Sequence, residues 1–238
     1  MTQTTVPVIF DLDGTLVDPA GGITGGISAA LREMDLPVPE QAVLNSMVGP
    51  KLSDSLLHLA KVPSELVDET IERYRGHYKE TGIGQSKLYP GIFDLLEFFA
   101  ETGRPVAVAT QKPQSIARLV LEHHGIADFF ISIRGAADDE SLKANTASGK
   151  VEIVAAALND LHSQPAVMVG DRHQDVAGAL ANGLDCIGVS WGFAPDGELE
   201  DAGAVAVVNT ALELRTKIEE LDAVRAAALS EVQNDGSL

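Results

Sequence analysis

The 238-residue chain is poor in cysteine and in basic residues, and it contains no long apolar run. Its one cysteine, Cys186, excludes an intramolecular disulfide, as is typical of proteins in a reducing compartment. No apolar run reaches the roughly 20 residues that a membrane-spanning helix needs. Residues 1–5 lack the basic region and the apolar stretch of a secretory signal. We therefore expect a cytoplasmic protein with no membrane partner.

The 17 lysines and arginines are outnumbered by 35 aspartates and glutamates, which gives a formal net charge of −18. A chain of this charge repels a phosphate backbone, so we expect no nucleic-acid partner. A small anionic ligand would be repelled at long range as well. Its binding would have to come from local attraction, supplied by a metal ion or by a few lysines and arginines at the site.

Most of the chain alternates between apolar runs and amphipathic segments. Continuous apolar strands that alternate with helices are typical of a parallel sheet covered on both faces. We therefore predict an α/β fold with a Rossmann-like parallel sheet covered by helices on both faces. Strands are predicted at 6–10, 105–110, 129–133, 166–170, 184–189 and 204–208. Helices are predicted at 92–101, 116–124, 151–161, 176–181 and 211–229.

The stretch from 22 to 82 differs, because its apolar residues recur at the three- and four-residue spacing of amphipathic helices. Helices are predicted there at 27–34, 52–60 and 66–78, and no strand is. The sequence thus predicts an α/β core domain, residues 1–18 and 87–238, interrupted by an inserted helical cap domain, residues 19–86.

Polar side chains follow three of the predicted strands, where open α/β sheets place their sites. They are Asp11 and Asp13, then Thr110 with Gln111 and Lys112, then Asp171 with Asp175. Lys150 begins the helix before the last of these strands. Carboxylates that lie close together repel each other unless a cation joins them, and oxygen ligands favour Mg²⁺. Such a site could hold a phosphoryl group while a carboxylate attacks the phosphorus.

The motifs resemble those of the haloacid dehalogenase superfamily over nearly the whole chain. The first motif is matched by Asp11-Leu12-Asp13-Gly14-Thr15-Leu16-Val17-Asp18 and the fourth by Gly170-Asp171-Arg172-His173-Gln174-Asp175. Thr110 fits the second motif. Lys150, which directly precedes an apolar helix, fits the third better than its alternative, Lys143. Within the superfamily the chain is most similar to phosphoglycolate-phosphatase-like members with a small helical cap.

This resemblance implies a role for each matched residue. Asp11 would be the nucleophile and form an aspartyl-phosphate, while Asp13 would be general acid and then general base. Thr110, Gln111 and Lys150 would bind the phosphoryl oxygens. Mg²⁺ would be held by Asp11, by the backbone carbonyl of Asp13 and by Asp171. Asp175 would act at the metal directly or by supporting another ligand.

The function implied is that of a Mg²⁺-dependent phosphatase whose partner is a small phosphorylated metabolite, such as phosphoglycolate, a nucleotide or a sugar phosphate. The acid at Asp13 suits an oxygen leaving group, whereas family dehalogenases lack it. A phosphomutase with the same motifs and a non-catalytic phosphate-binding protein are the alternatives.

Substrate preference would be set by the cap, where Lys51 in Gly49-Pro50-Lys51 is a candidate contact. Lys112 and Arg172 are expected to be surface charges near the mouth of the site. The sequence leaves a monomer and a homodimer equally open.

Overall fold

The computed structural model describes residues 5–19, 21–138, 149–162 and 166–235. Six parallel strands form the central sheet. They are β1 (Val8–Phe10), β4 (Val106–Pro113), β5 (Ser132–Ala136), β6 (Val167–Gly170), β7 (Asp185–Val189) and β8 (Ala206–Val208). Their order across the sheet is β5-β4-β1-β6-β7-β8, with every neighbouring pair parallel. The predicted parallel sheet is confirmed.

β1 lies in the middle of this sheet, between β4 and β6, and its three residues are fully buried. Phe10 is in register with Val108 on one side and with Val169 on the other. The residues that follow Phe10 in β1 and Gly170 in β6 therefore lie beside residues 110–112 of β4 at one edge of the sheet. This edge carries the polar residues that the sequence singles out.

The central strands β1 and β6 are apolar throughout because helices cover both faces of the sheet. Val8 and Phe10 point into one buried cluster, and Ile9 points into the other with Met168 and Cys186. The covering helices are α6 (Ile92–Glu101), α7 (Gln114–His123), α8 (Lys150–Asp160), α9 (His173–Ala181), α10 (Glu198–Ala202) and α11 (Ala211–Asp235). The five-residue helix α10 was not predicted.

Residues 21–86, which we call the helical segment, connect two short strands. The segment contains α1 (Gly22–Glu33), α2 (Gln41–Ser46), α3 (Leu52–His58), α4 (Val67–His77) and α5 (Ile83–Gln85), with a π-helical turn at Tyr78–Gly82. β2 (Val17–Asp18) enters it and pairs antiparallel with β3 (Lys87–Leu88), which leaves it. The proposed domain bounds, 1–18 with 87–238 and 19–86, remain a prediction.

Two strand boundaries differ from the predicted ones near the site. β4 continues to Pro113, and its register with β5 shifts between Ala109 and Pro113. β5 begins only at Ser132, because Ala127–Phe129 forms a 3₁₀ turn. Within the described ranges, no helix is both long enough and apolar enough to cross a membrane.

Candidate active site

Three buried carboxylates form a cluster at the ends of β1 and β6. Asp11, Asp171 and Asp175, which we call the carboxylate cluster, each place an oxygen within 4.8 Å of the others. Burial and the neighbouring carboxylates raise the pKa of Asp171 well above its usual range. Burial, with the charge of Asp11, raises the pKa of Asp175 to about 6 against the opposing effect of Lys150. An oxygen-only set under such repulsion fits a hard divalent cation such as Mg²⁺.

The Asp171 carboxylate is held in a tight backbone pocket. The Phe193 amide donates to Oδ2 at 2.8 Å, and the Thr15 hydroxyl donates to Oδ1 at 3.3 Å. A Cβ at Gly14 or at Gly192 would overlap this carboxylate, and Gly14 also has a φ of +87°. The glycine of the first motif is therefore required both by its backbone conformation and by the close approach of Asp171.

Lys150 joins the carboxylate cluster to the sheet. Its Nζ lies 2.6 Å from Asp11 Oδ1 and 2.6 Å from Asp175 Oδ1, and it donates to the Ala109 carbonyl at 2.8 Å. Burial alone would lower the pKa of Lys150, but the two carboxylates raise it. Lys150 is thus a fixed positive charge beside Asp11. The alternative residue, Lys143, lies outside the described residues.

Asp13 lies apart from the carboxylate cluster and pairs with Lys112. The Lys112 Nζ is 2.6 Å from Asp13 Oδ2 and 4.6 Å from the centre of the Tyr78 ring. The other oxygen, Asp13 Oδ1, is buried and has no hydrogen-bond partner within the described part of the chain. Burial raises the pKa of Asp13 although Lys112 opposes this. The backbone carbonyl of Asp13 as a metal ligand stays a prediction.

The expectation that Lys112 is a surface charge is wrong. Its side chain is only 6% exposed. The reason is that β4 continues past Thr110, so that Lys112 stands against the Tyr78 ring, where the ion pair with Asp13 offsets the cost of burial. The ion pair could have been suspected from the sequence, because Lys112 lies two residues after Thr110, at the same sheet edge as Asp13.

Replacing Lys112 with methionine is expected to lower the free energy of unfolding by about 3 kcal/mol at neutral pH, because it leaves Asp13 buried and unpaired. Denaturant unfolding would measure this. The exposed pair of Lys217 and Glu220 supplies the control, and Lys217→Met should cost less than about 1 kcal/mol. The double variant with Asp13→Asn should recover part of the loss. Additive losses from the two changes would contradict the pairing.

Thr110 and Gln111 follow the regular part of β4. Thr110 is buried, and its hydroxyl accepts a hydrogen bond from the Lys112 amide at 3.2 Å. Gln111 is partly buried and lines the adjoining cleft. Both residues lie at the sheet edge where the sequence places them. Their binding of phosphoryl oxygens stays a prediction.

A cleft lies between the helical segment and the sheet edge. Its walls combine apolar side chains with the cations Lys112 and Arg75, and Asp13 lies on its surface. The other lining residues are Ile23, Met47, Gly49, Pro50, Leu52, Tyr74, Tyr78, Gln111, Pro113 and Ile116. Lys51 is not one of them, although it directly follows Pro50, so its contact with a substrate stays a prediction.

Comparison with known proteins identifies the family to which this site belongs. The model of the haloacid dehalogenase-like hydrolase family matches residues 8–189, a range that holds all the predicted site residues. The chain belongs to this family. The predicted membership is thereby confirmed, and with it the prediction of a hydrolase of phosphoric monoesters.

Relatives of this haloacid dehalogenase-like hydrolase carry different names. It is 38% identical over 206 residues to the tyrosine-protein kinase PtkA of Mycobacterium tuberculosis, covering 86% of this chain and 68% of that one. It is 34% identical over 194 residues to a 5'-nucleotidase of Pseudomonas aeruginosa (81% and 86%), and 34% over 191 residues to a phosphoglycolate phosphatase of Yersinia pseudotuberculosis (78% and 81%).

A solved structure shows the same fold. The crystal structure of a predicted phosphatase from Clostridium acetobutylicum matches with a TM-score of 0.83 at 38% identity, covering 91% of this chain and 100% of that one. The fold of the hydrolase is therefore that of its family, and the names of its relatives leave the substrate open.

Arg172 of this hydrolase is also not the surface charge that the sequence suggests. Its side chain is 9% exposed. Its Nε donates to Glu198 Oε1 at 3.0 Å, and its Nη1 donates to the Val48 carbonyl at 2.9 Å. The guanidinium is buried because it reaches across to the helical segment, which no pattern in the sequence indicates. His173, next to it, is exposed and lies 3.0 Å from the same Glu198 oxygen.

Proposed function

We propose that this hydrolase is a Mg²⁺-dependent phosphatase that cleaves a small phosphate monoester through an aspartyl-phosphate on Asp11. The observation that carries the proposal is the separation of the two carboxylates of the first motif. Asp11 belongs to the carboxylate cluster beside Lys150, while Asp13 lies on the cleft beside Lys112. In this proposal Asp11 attacks the phosphorus, and Asp13 exchanges a proton with the leaving group.

Asp11, Asp171 and the Asp13 backbone carbonyl would hold Mg²⁺, which when bound neutralises the oxygens of the phosphoryl group. Asp175 Oδ1 pairs with Lys150, and Oδ2 accepts from the Arg172 amide at 3.0 Å. Because these contacts are to the lysine beside Asp11 and to the backbone next to Asp171, we assign to Asp175 a supporting role. It fixes Lys150 and the loop after β6, and so orients Asp11 and Asp171.

The chain's own residues would carry the reaction in two steps. In the first, a carboxylate oxygen of Asp11 attacks the phosphorus, the bond to the leaving oxygen breaks, and Asp13 gives that oxygen a proton. In the second, Asp13 takes a proton from water, whose oxygen attacks the phosphorus and releases phosphate and Asp11. Lys150 and the Thr110 hydroxyl would bind phosphoryl oxygens in both steps.

The cleft supports a small organic phosphate as substrate. Arg75 adds positive charge to the walls of the cleft beside the Lys112–Asp13 ion pair, which favours the binding of an anion by an acidic chain. The relatives named 5'-nucleotidase and phosphoglycolate phosphatase support the same class of substrate.

Removal of the metal is the first test. With para-nitrophenyl phosphate and Mg²⁺ we expect phosphate release, and we expect EDTA to lower the rate by roughly 100-fold or more. Restoring Mg²⁺ should restore the rate. Activity that persists unchanged in EDTA would contradict the metal-dependent mechanism.

A panel of phosphate esters would then separate the alternatives. Phosphoglycolate, nucleoside monophosphates, sugar phosphates and phosphotyrosine are compared by kcat/KM. Phosphate release with one of them at a clearly higher kcat/KM identifies the substrate. Transfer of the phosphoryl group within the substrate, without phosphate release, would favour a phosphomutase. Binding of inorganic phosphate with no turnover of any ester would favour a non-catalytic binding protein.

A further inference from the structure

We propose that Arg172 is a positioning residue that holds the loop of residues 47–51 in place as a wall of the substrate cleft. We call these residues the cleft loop; they connect α2 to α3. The kinetic part of this inference rests on the proposed phosphatase function. The structural part does not, because it concerns only how the helical segment is attached to the sheet edge.

The backbone of Arg172 belongs to the candidate metal site. It directly follows Asp171, and its amide donates to Asp175 Oδ2 at the start of α9. The side chain leaves this loop and reaches the helical segment, where Nη1 donates to the Val48 carbonyl at 2.9 Å. One residue therefore connects the loop that carries the carboxylate cluster with the loop that lines the cleft.

The guanidinium is held from two sides. Its Nε donates to Glu198 Oε1 at 3.0 Å, and the same oxygen accepts from the His173 amide at 2.9 Å. Glu198 thus fixes the orientation of the guanidinium through Nε, and the Val48 carbonyl accepts from Nη1. Arginine is suited to two such acceptors because its donors point in fixed, divergent directions, whereas a lysine at this position could not satisfy both in the same geometry.

The cleft loop packs along the stem of the arginine. Gly49 has a φ of +101°, a left-handed conformation that favours glycine, and a Cβ there would lie 3.4 Å from Arg172 Cγ. Met47, Gly49 and Pro50, on both sides of Val48, line the cleft. The position of Val48, held by Arg172, therefore determines the distance between the cleft loop and the side chains of Asp13 and Lys112.

Because Arg172 already holds the cleft loop in place in the free protein, substrate binding loses less conformational entropy than it would with an unattached loop. Loss of the arginine side chain should accordingly weaken substrate binding more than it slows the chemical steps. It should leave the affinity for Mg²⁺ unchanged, because the Arg172 amide still donates to Asp175 in any non-proline variant.

The structural part is tested by amide hydrogen exchange on the full-length protein. In Arg172→Gln, exchange in the cleft loop should become roughly tenfold faster or more, as expected for the loss of a charge-assisted hydrogen bond. Arg118→Gln, at an exposed arginine of α7, is the matched control and should leave the loop unchanged. Unchanged exchange of the cleft loop in Arg172→Gln, in a folded protein, would overturn the proposal.

The kinetic part uses para-nitrophenyl phosphate and two further variants, Arg172→Lys and Glu198→Gln. Arg172→Gln should raise KM by roughly tenfold with a smaller change in kcat, at an unchanged Mg²⁺ dependence. Glu198→Gln, which keeps an acceptor for the His173 amide but removes the charge that holds the guanidinium, should shift exchange and KM in the same direction. It also provides a test if Arg172→Gln does not fold. Arg172→Lys should fail to restore either readout.

A changed Mg²⁺ dependence together with an unchanged cleft loop would assign Arg172 to the metal site and overturn the proposal. If the native protein hydrolyses no phosphate ester, the proposed function is wrong, and the exchange result still decides whether Arg172 holds the cleft loop.

Discussion

Replacing Asp11 with asparagine is expected to lower kcat for phosphate release by roughly 10⁴-fold or more, because an amide oxygen cannot form the aspartyl-phosphate. The fold should tolerate the change. Asparagine is isosteric with aspartate, and its side-chain oxygen can still accept from Lys150, whose Nζ lies 2.6 Å from Asp11 Oδ1. Steady-state assays with para-nitrophenyl phosphate and Mg²⁺ would measure the loss.

Stability provides an independent readout of the same variant. Asp11 is one of three buried carboxylates that lie within 4.8 Å of one another. Without Mg²⁺ the change to asparagine relieves repulsion within this group but weakens the ion pair with Lys150, which keeps Asp175 as its second carboxylate. The two effects oppose each other, so the free energy of unfolding should change by less than about 2 kcal/mol. In the native protein Mg²⁺ should raise the melting temperature, and in Asp11→Asn this rise should be smaller.

The control is Asp94→Asn, at an exposed aspartate in the first turn of α6, which should leave both activity and metal response unchanged. Full activity of Asp11→Asn would contradict the nucleophile assignment. Loss of activity together with loss of the folded state would instead show that Asp11 is needed for structure.

The strands and the carboxylate cluster could be predicted from the sequence because both depend on local pattern and on a topological rule. A strand buried on both faces must be apolar at every position, as Val8–Phe10 and Val167–Gly170 are, so its end is visible in the sequence. Residues after neighbouring parallel strands meet at one edge. These two facts are enough to predict that Asp11 and Asp171 lie close together.

The short elements could not be predicted for the opposite reason. β2 and β3 have two residues each, α10 has five and α2 has six, so none is long enough to display a period. Their formation depends on what they pack against or pair with.

The interactions of Lys112 and Arg172 were missed because a long side chain at a sheet edge can point to solvent or to a buried partner. Position in the sequence does not distinguish the two. Both partners, Asp13 for Lys112 and the Val48 carbonyl for Arg172, are far away in sequence. The direction of such side chains is decided by tertiary packing alone.

Replacing Asp13 with asparagine is expected to lower kcat by roughly 10³-fold while leaving phosphate binding largely intact, because the amide can neither protonate the leaving oxygen nor take a proton from water. The Asp13 side chain lies on the cleft and outside the carboxylate cluster, and the substitution keeps the backbone carbonyl of residue 13, so the change should not disturb the Mg²⁺ ligands. Binding of inorganic phosphate and the Mg²⁺ dependence of stability should therefore match the native protein.

The choice of leaving group separates the two roles proposed for Asp13. With para-nitrophenyl phosphate the leaving oxygen is a good leaving group without a proton, so attack by Asp11 should still proceed and the aspartyl-phosphate should accumulate, visible as a burst of nitrophenol. With an alkyl phosphate the first step itself needs the acid, and no burst should occur. A variant that loses substrate affinity alone, with kcat unchanged for both esters, would show that Asp13 binds the substrate and does not transfer the proton.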